Sequence, residues 1–188
     1  MDKTEPIKNR VLLVADASKE SNISLAEELA GLGWQVAIAT HQSPIRPVSN
    51  RVHFFRIHLP VFYPFSYVTF FEFATIIFRF RPQIIHAFHL SDYGVLAGLS
   101  RRFLLCRRVL VSATGKDVKE DAFTLRGWSI KHILVLVEEV SCEDDSAKSA
   151  ALQLGTPANR ITLMGVADSR ATTFGTIYRR LLANAPPK

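Results

Sequence analysis

Val11-Leu12-Leu13-Val14-Ala15 is an unbroken apolar run, with no polar residue alternating through it. A strand with one wet face alternates. An unbroken run reads instead as a strand buried on both faces, as in a parallel sheet covered by helices. The next residues enforce that reading. Asp16 to Asn22 is a polar loop, and Ser24 and Glu27 then stand at the spacing of a helix-starting capping box. Leu25, Leu29 and Leu32 recur at helical spacing, Gly31 and Gly33 stop the helix, and Gln35 to Thr40 returns as a second apolar run. Strand, helix, strand in that order is a crossover, so the two strands run parallel.

The alternation continues to the end of the chain. Val52 to His58 reads as a third strand, Gln83 to Ala87 behind Pro82 as a fourth, and Arg108 to Ala113 as a fifth. Ile133 to Val137 reads as a sixth and Ile161 to Met164 as a seventh. A helix is expected from Asp92 to Phe103, and another before the seventh strand with Ser141 and Asp144 as its capping box. Glu143, Asp144 and Asp145 crowd that helix start, where the dipole favours anions, so the cluster needs no metal. The expected fold is α/β: a single Rossmann-like domain with a mostly parallel seven-stranded sheet and helices on both faces. Residues 1–168 form the domain. Residues 169–188 form a C-terminal helix and tail, with Phe174, Ile177, Tyr178, Leu181 and Leu182 as an apolar stripe.

A length of 188 residues suits one such domain. The net charge of +6 favours an anionic partner. Its basic residues are dispersed, with Arg101-Arg102 and Arg107-Arg108 as the tight clusters, so nucleic acid is not expected. Cys106 and Cys142 are too few for a disulfide framework, and Asp2, Lys3, Glu5, Lys8 and Arg10 interrupt any signal-peptide run. Both suit a cytoplasmic protein. No histidine and cysteine spacing suggests a zinc site, and no Walker loop or dinucleotide motif is present, so no metal or cofactor is expected.

In open α/β sheets ligands bind at the carboxyl ends of the strands. The candidate residues are therefore Asp16 and Ser18 after the first strand, His89 after the fourth, Thr114-Gly115-Lys116-Asp117 after the fifth and Ser141 after the sixth. His86, one step inside, reads as a packed strand-end histidine. The same loops carry a family resemblance. Arg81-Pro82-Gln83-Ile84-Ile85-His86-Ala87-Phe88-His89 resembles "K-P-D-V-V-H-A-H", and Gly33-Trp34-Gln35-Val36 resembles "G-H-E-V". Thr114-Gly115-Lys116-Asp117 stands in the place of "H-G-S-D". Gly155-Thr156-Pro157-Ala158-Asn159-Arg160-Ile161 running to Gly165-Val166-Ala167-Asp168 resembles "G-x-P-x-x-R-I-x-x-x-x-N-G-V-D". In this order the motifs resemble the N-terminal, acceptor-side domain of GT-B glycosyltransferases of the family 4 type.

That resemblance implies a retaining, metal-independent transfer of a hexose from a nucleotide sugar to a sugar or lipid-linked acceptor. It also implies a nucleotide-sugar domain bearing a glutamate pair in "E-G-F-G-L-P-x-x-E-A", which nothing in the chain matches. The expectation is a domain incomplete or inactive alone, its donor-binding half supplied by a separate domain or chain. The sequence departs from the family at two places. No glycine pair follows the first strand, and Thr114 replaces the family's histidine. Tyr178-Arg179-Arg180-Leu181-Leu182 resembles the last GT-B helix, which crosses back onto the N-terminal domain.

Phe62 to Phe80 concentrates the phenylalanines. Read as a helix, it has more apolar surface than one core contact needs. Phe73, Ile76 and Phe80, with Arg79 and Arg81, form a face suited to an anionic membrane surface, which implies a peripheral position on the inner face of the membrane. The rival class is a receiver-like or other Rossmann-type signalling or binding domain without catalysis. A receiver needs an aspartate ending a central strand, and Pro82-Gln83-Ile84-Ile85-His86-Ala87-Phe88 has none.

Overall fold

The computed structural model describes residues 9–60, 65–90, 92–114, 125–164 and 169–184. Its strands are β1 (Arg10–Val14), β2 (Gln35–Thr40), β3 (Val52–Arg56), β4 (Ile84–Phe88), β5 (Arg108–Ala113), β6 (Glu139–Cys142) and β7 (Ile161–Leu163). They form one sheet in the order β3-β2-β1-β4-β5-β6-β7, with every pairing parallel. The helices described are α1 (Glu20–Gly31), α2 (Ser66–Phe80), α3 (Tyr93–Arg102), α4 (Leu125–Leu136), α5 (Asp145–Gln153) and α6 (Arg170–Ala183). The α/β Rossmann-like expectation holds, and the sheet is parallel throughout.

Alternate residues of each strand feed two separate cores. On one face Leu12, Val14, Ile85, Val109, Val111 and Val140 pack beneath α2, α3, α4 and α5. On the other, Val11, Leu13, Ile84, Phe88 and Leu110 pack beneath α1 and α6. The interior of β1 is wholly buried, which is what its unbroken apolar run demands.

Three local expectations are corrected. Ile133 to Val137 is not a strand: Ile133 to Leu136 close α4, Val137 follows it, and the sixth strand is the polar-looking Glu139–Cys142. Ile133 and Leu134 are buried beneath α3, so the apolar run answers a helix–helix contact. Second, α1 begins a turn earlier than the capping-box spacing suggests. Ser24 and Glu27 instead hold Arg46, whose Nη2 donates to Glu27 Oε2 at 2.8 Å. Glu27 also accepts from Ser49 N at 3.0 Å, clipping the β2–β3 connection onto α1. The Arg46 hydrogen bond holds the Glu27 carboxyl below its ordinary value. Third, α5 is capped by Asp144, which accepts from Ala147 N at 2.6 Å, while Ser141 lies inside β6.

The proposed membrane-facing set is also revised. Phe73, Ile76 and Phe80 are buried with Phe70 and Ile77, because α2 needs a wide apolar stripe to cover both the sheet and α3. The face left outside carries Val68, Phe71 and Phe78. Arg79 and Arg81 are exposed, Arg79 lying 5.8 Å over the Phe55 ring.

Between the sheet and α6 runs a buried polar chain. Ser141 Oγ lies 2.7 Å from Ser112 Oγ, Ser112 Oγ 2.7 Å from His86 Nε2, and His86 Nδ1 2.6 Å from the Tyr178 hydroxyl. Each link joins a different element, from β6 through β5 and β4 to α6. Trp34 meets Tyr178 edge-on at 5.4 Å, and Arg180 of α6 pairs with the buried Glu139, which also accepts from Thr162 Oγ1 at 2.5 Å. Arg108 Nε donates to Leu181 O at 2.9 Å, capping the end of α6.

Burial lowers the His86 imidazole from 6.5 to about 3. Below pH 6.5 the unfolded chain takes up a proton that the folded chain refuses. Its contribution is therefore complete above pH 6.5 and declines as pH falls towards about 3. His86→Gln removes that titration. Denaturant unfolding between about pH 6 and pH 4 is expected to lose ~1.4 kcal/mol less per pH unit in the variant than in the wild type. Equal slopes exclude a neutral buried His86. A second prediction concerns the α3–α4 contact. A Cβ on Gly98 would sit 3.0 Å from Ile133 Cγ1, so Gly98→Ala is expected to cost about 1–3 kcal/mol by overpacking. Ile133→Ala in that background recovers part of the loss, readable as a coupling energy in a double-mutant cycle.

Candidate functional site

The strand order reverses once, between β1 and β4. From β1 the chain winds outward through β2 and β3, and from β4 it winds the other way through β5, β6 and β7. The loops leaving β1 and β4 therefore diverge to opposite faces of the sheet and leave a crevice at the carboxyl ends of those strands.

The β1 loop forms the first wall. Ala15 and Ala17 are fully buried, which anchors the loop and leaves Asp16, Ser18 and Lys19 towards solvent. Asp16 Oδ1 accepts from Ser18 N at 2.9 Å and from Ser18 Oγ at 2.7 Å, closing a tight turn that orients both side chains. Asn22 Nδ2 donates to Asp16 O at 2.9 Å and ties the turn to α1. The amino end of α1 follows at Lys19, whose side chain does not cap it.

His89 forms the facing wall. It is half-buried and its φ of 73° lies in the left-handed region, a conformation uncommon outside glycine. The neighbours impose it: His89 N donates to Ser112 O at 3.1 Å, and His89 O accepts from Gly94 N at 3.0 Å. Gly94 permits that approach, since a Cβ there would meet His89 O at 3.1 Å. Lys19 Nζ lies 3.2 Å from His89 Nε2, joining the two walls. An ammonium only donates, so Nε2 accepts and the contact selects the tautomer protonated at Nδ1.

Two residues on the crevice floor were not singled out from the sequence. The buried Tyr93 hydroxyl hydrogen-bonds Thr40 and the backbone at His41, and burial raises its pKa. Thr40 Oγ1 in turn accepts from Ala17 N at 3.2 Å and from Gln42 N at 3.1 Å. Together they lock the ends of β1, β2 and α3. Their sole sequence signal is position, at a strand end and a helix start, which ordinary structural residues share.

Among the expected site residues, Asp16, Ser18 and His89 converge with Lys19 on this crevice. Thr114 is half-buried just past β5. Ser141 does not reach a cleft: it is fully buried and bound to Ser112, because β6 runs one residue beyond it to Cys142. His86 lies beneath the site as a packed histidine. Gly115, Lys116 and Asp117, like Gly165 to Asp168, lie outside the described residues. Among the described residues no group of three His, Cys, Asp or Glu side chains is placed to hold a metal.

This arrangement offers a cation (Lys19), an imidazole, a carboxylate and a hydroxyl around the switch point of a parallel sheet. It suits a polar, hydroxyl-bearing ligand.

Comparison with solved structures places the fold among known enzymes. A sucrose-phosphate synthase from Thermosynechococcus elongatus is similar at 19% identity with a TM-score of 0.65, over 93% of this chain and 99% of that one. The UDP-GlcNAc 2-epimerase of Methanocaldococcus jannaschii, solved with UDP-GlcNAc and UDP, is similar at 14% identity and a TM-score of 0.60. The chain covers 46% of that epimerase with 85% of its own length. The UDP-GlcNAc-bound epimerase of Neisseria meningitidis gives 10% identity, a TM-score of 0.59 and 46% coverage of its chain. The chain thus spans about half the length of these epimerases. At such identities the likeness establishes the fold. No curated protein matches the sequence. A family model, described as glycosyl transferase 4-like, matches residues 10–142, from the first residue of β1 to the last of β6. The chain therefore belongs to the glycosyl transferase 4-like family.

Proposed function

We propose that residues 1–168 are the acceptor-side wall of a nucleotide-sugar-dependent, retaining hexosyltransferase, with residues 169–188 as the helix and tail that cover it. The donor-binding wall lies outside these residues. The observation that carries this reading is the crevice at the β1/β4 switch point, where Asp16, Ser18, Lys19 and His89 meet inside the stretch matched by the family model. The epimerases support a two-walled site: each was solved with UDP-GlcNAc, and the chain covers about half of each.

In this reading Asp16 and His89 orient acceptor hydroxyls: a carboxylate accepts from a hydroxyl, and an imidazole protonated at Nδ1 donates to one. Lys19 and the open amino end of α1 favour the phosphate side of the incoming donor. Thr114, with Gly115, Lys116 and Asp117, would border the same cleft. The chain's chemistry is to position and to supply charge, and no metal is required. A cytoplasmic setting, peripheral on the inner face of the membrane, and a sugar or lipid-linked acceptor belong to the same proposal. The exposed Val68, Phe71 and Phe78 of α2, beside Arg79, favour it. No described helix is long and apolar enough to cross a membrane.

The test is sugar transfer from labelled UDP-hexoses to an acceptor panel. The 188-residue chain alone is expected to yield no product, and addition of a donor-binding domain carrying the glutamate pair is expected to restore it. Transfer by the chain alone overturns the half-site reading. The membrane component is tested separately by vesicle flotation, with salt-sensitive binding to anionic vesicles expected. Absence of binding at low salt ends it.

A further inference from the structure

A second concavity lies at the opposite end of the sheet. Its lining comprises Arg101, Arg102 and Leu104 just before β5, Val135 to Glu138 just before β6, and Arg160 just before β7. Residues that precede parallel strands gather at the amino ends, away from the crevice. The cavity measures about 420 Å³, room enough for a phosphate and part of what carries it.

Its charge is lopsided. Three guanidiniums face one carboxylate, Glu138, which Arg101 Nη2 approaches at 3.3 Å. Arg160 Nη1 points at the last carbonyls of α4, 3.4 Å from Val135 O and 3.5 Å from Val137 O. The bland account is that these arginines offset the negative carboxyl ends of α3 and α4. Two such ends amount to roughly one negative charge, which with Glu138 still leaves an excess positive charge. Arg102 is exposed, and among the described residues no acid pairs with it. Each guanidinium carries five N–H donors, so even the two engaged ones keep donors to spend.

The rim adds a second observation. Leu104 lines the cavity yet is 70% exposed, and it adopts a φ of 56°. A branched side chain held in the left-handed region and displayed to water costs stability on both counts. Phe103 beside it stacks on the buried Phe70 of α2 at 5.2 Å, which leaves Leu104 as the apolar side chain at the pocket.

We propose that this pocket binds a phosphate group borne on an apolar body, with Arg101, Arg102 and Arg160 taking the oxygens and Leu104 meeting the body. The site is independent of the transferase reading. The phosphate belongs to a phospholipid headgroup or to a soluble phosphate ester, and two probes separate these sources.

The full chain is titrated with inorganic pyrophosphate by calorimetry, and co-sedimented with phosphatidylglycerol and phosphatidylcholine vesicles. Arg102→Glu is compared with Arg51→Glu, which makes the same charge change at an exposed arginine elsewhere. Arg102→Glu is expected to weaken binding about tenfold or more, as loss of a charge-assisted contact should, with Arg51→Glu within about twofold. Vesicle binding that Leu104→Ser also weakens identifies a lipid headgroup. Pyrophosphate binding unaffected by Leu104→Ser identifies a soluble ligand. Both support the pocket. It is overturned if neither probe binds, or if Arg51→Glu weakens binding as much as Arg102→Glu. Arg102 is exposed, so unchanged thermal melting checks that its variant folds.

Discussion

The molecule depends on the burial of β1 from Val11 onward and of all of β4 between two helical layers. A strand covered on both faces has no water for its backbone groups, so each must find a partner in a neighbouring strand. β1 finds them in β2 and β4, and β4 finds them in β1 and β5. That requirement sets these strands at the centre of the sheet, and their central position creates the switch point. The crevice is a consequence of covering apolar strands on both sides with chain that winds out in opposite directions.

The two layers are not equivalent. Under α2 to α5 the buried hydroxyls of Thr69 and Ser100 bond back to nearby carbonyls of their own segments, whereas under α6 His86, Ser112, Ser141 and Tyr178 bond across elements. A buried polar group without a partner costs about 1–3 kcal/mol, so such a chain tolerates one arrangement of its members. It specifies where α6 lies more sharply than Phe174 and Ile177 could, since apolar contacts allow sliding. The ion pair from Arg180 to Glu139 and the cap from Arg108 to Leu181 fix the following turn of the same helix. Position is thereby carried from α6 through His86 to Phe88, whose ring packs tilted against His86 with centroids 4.2 Å apart and which directly precedes His89.

The two ends of the sheet divide the chemistry. At the carboxyl ends, side chains of mixed character gather around a turn that Asp16 and Ser18 close between themselves. At the amino ends, arginines dominate and an apolar rim projects. In a parallel sheet the loops at one end come after strands and those at the other come before them. Residues far apart in sequence are therefore sorted by end, as Arg102 and Arg160 are.

Much of this was legible in order and period. Unbroken apolar runs marked β1, β2 and β5, and the stripe from Phe174 to Leu182 marked α6, because both signals are local consequences of which faces must be buried. Ile133 to Val137 misled because a short apolar run has no period long enough to separate a strand from a helix end. Glu139–Cys142 escaped because its polar residues find partners only across the sheet. The position of His89 at the crevice followed from chain order, whereas its left-handed backbone and its contact with Lys19 did not. Sequence alone determined the fold class and the family, since apolar spacing and chain order decide these. Only the tertiary structure decided that Ser141 is buried, that Phe73 faces inward and that Tyr93 meets Thr40. Those outcomes depend on what a side chain meets from distant elements, and no local pattern encodes that.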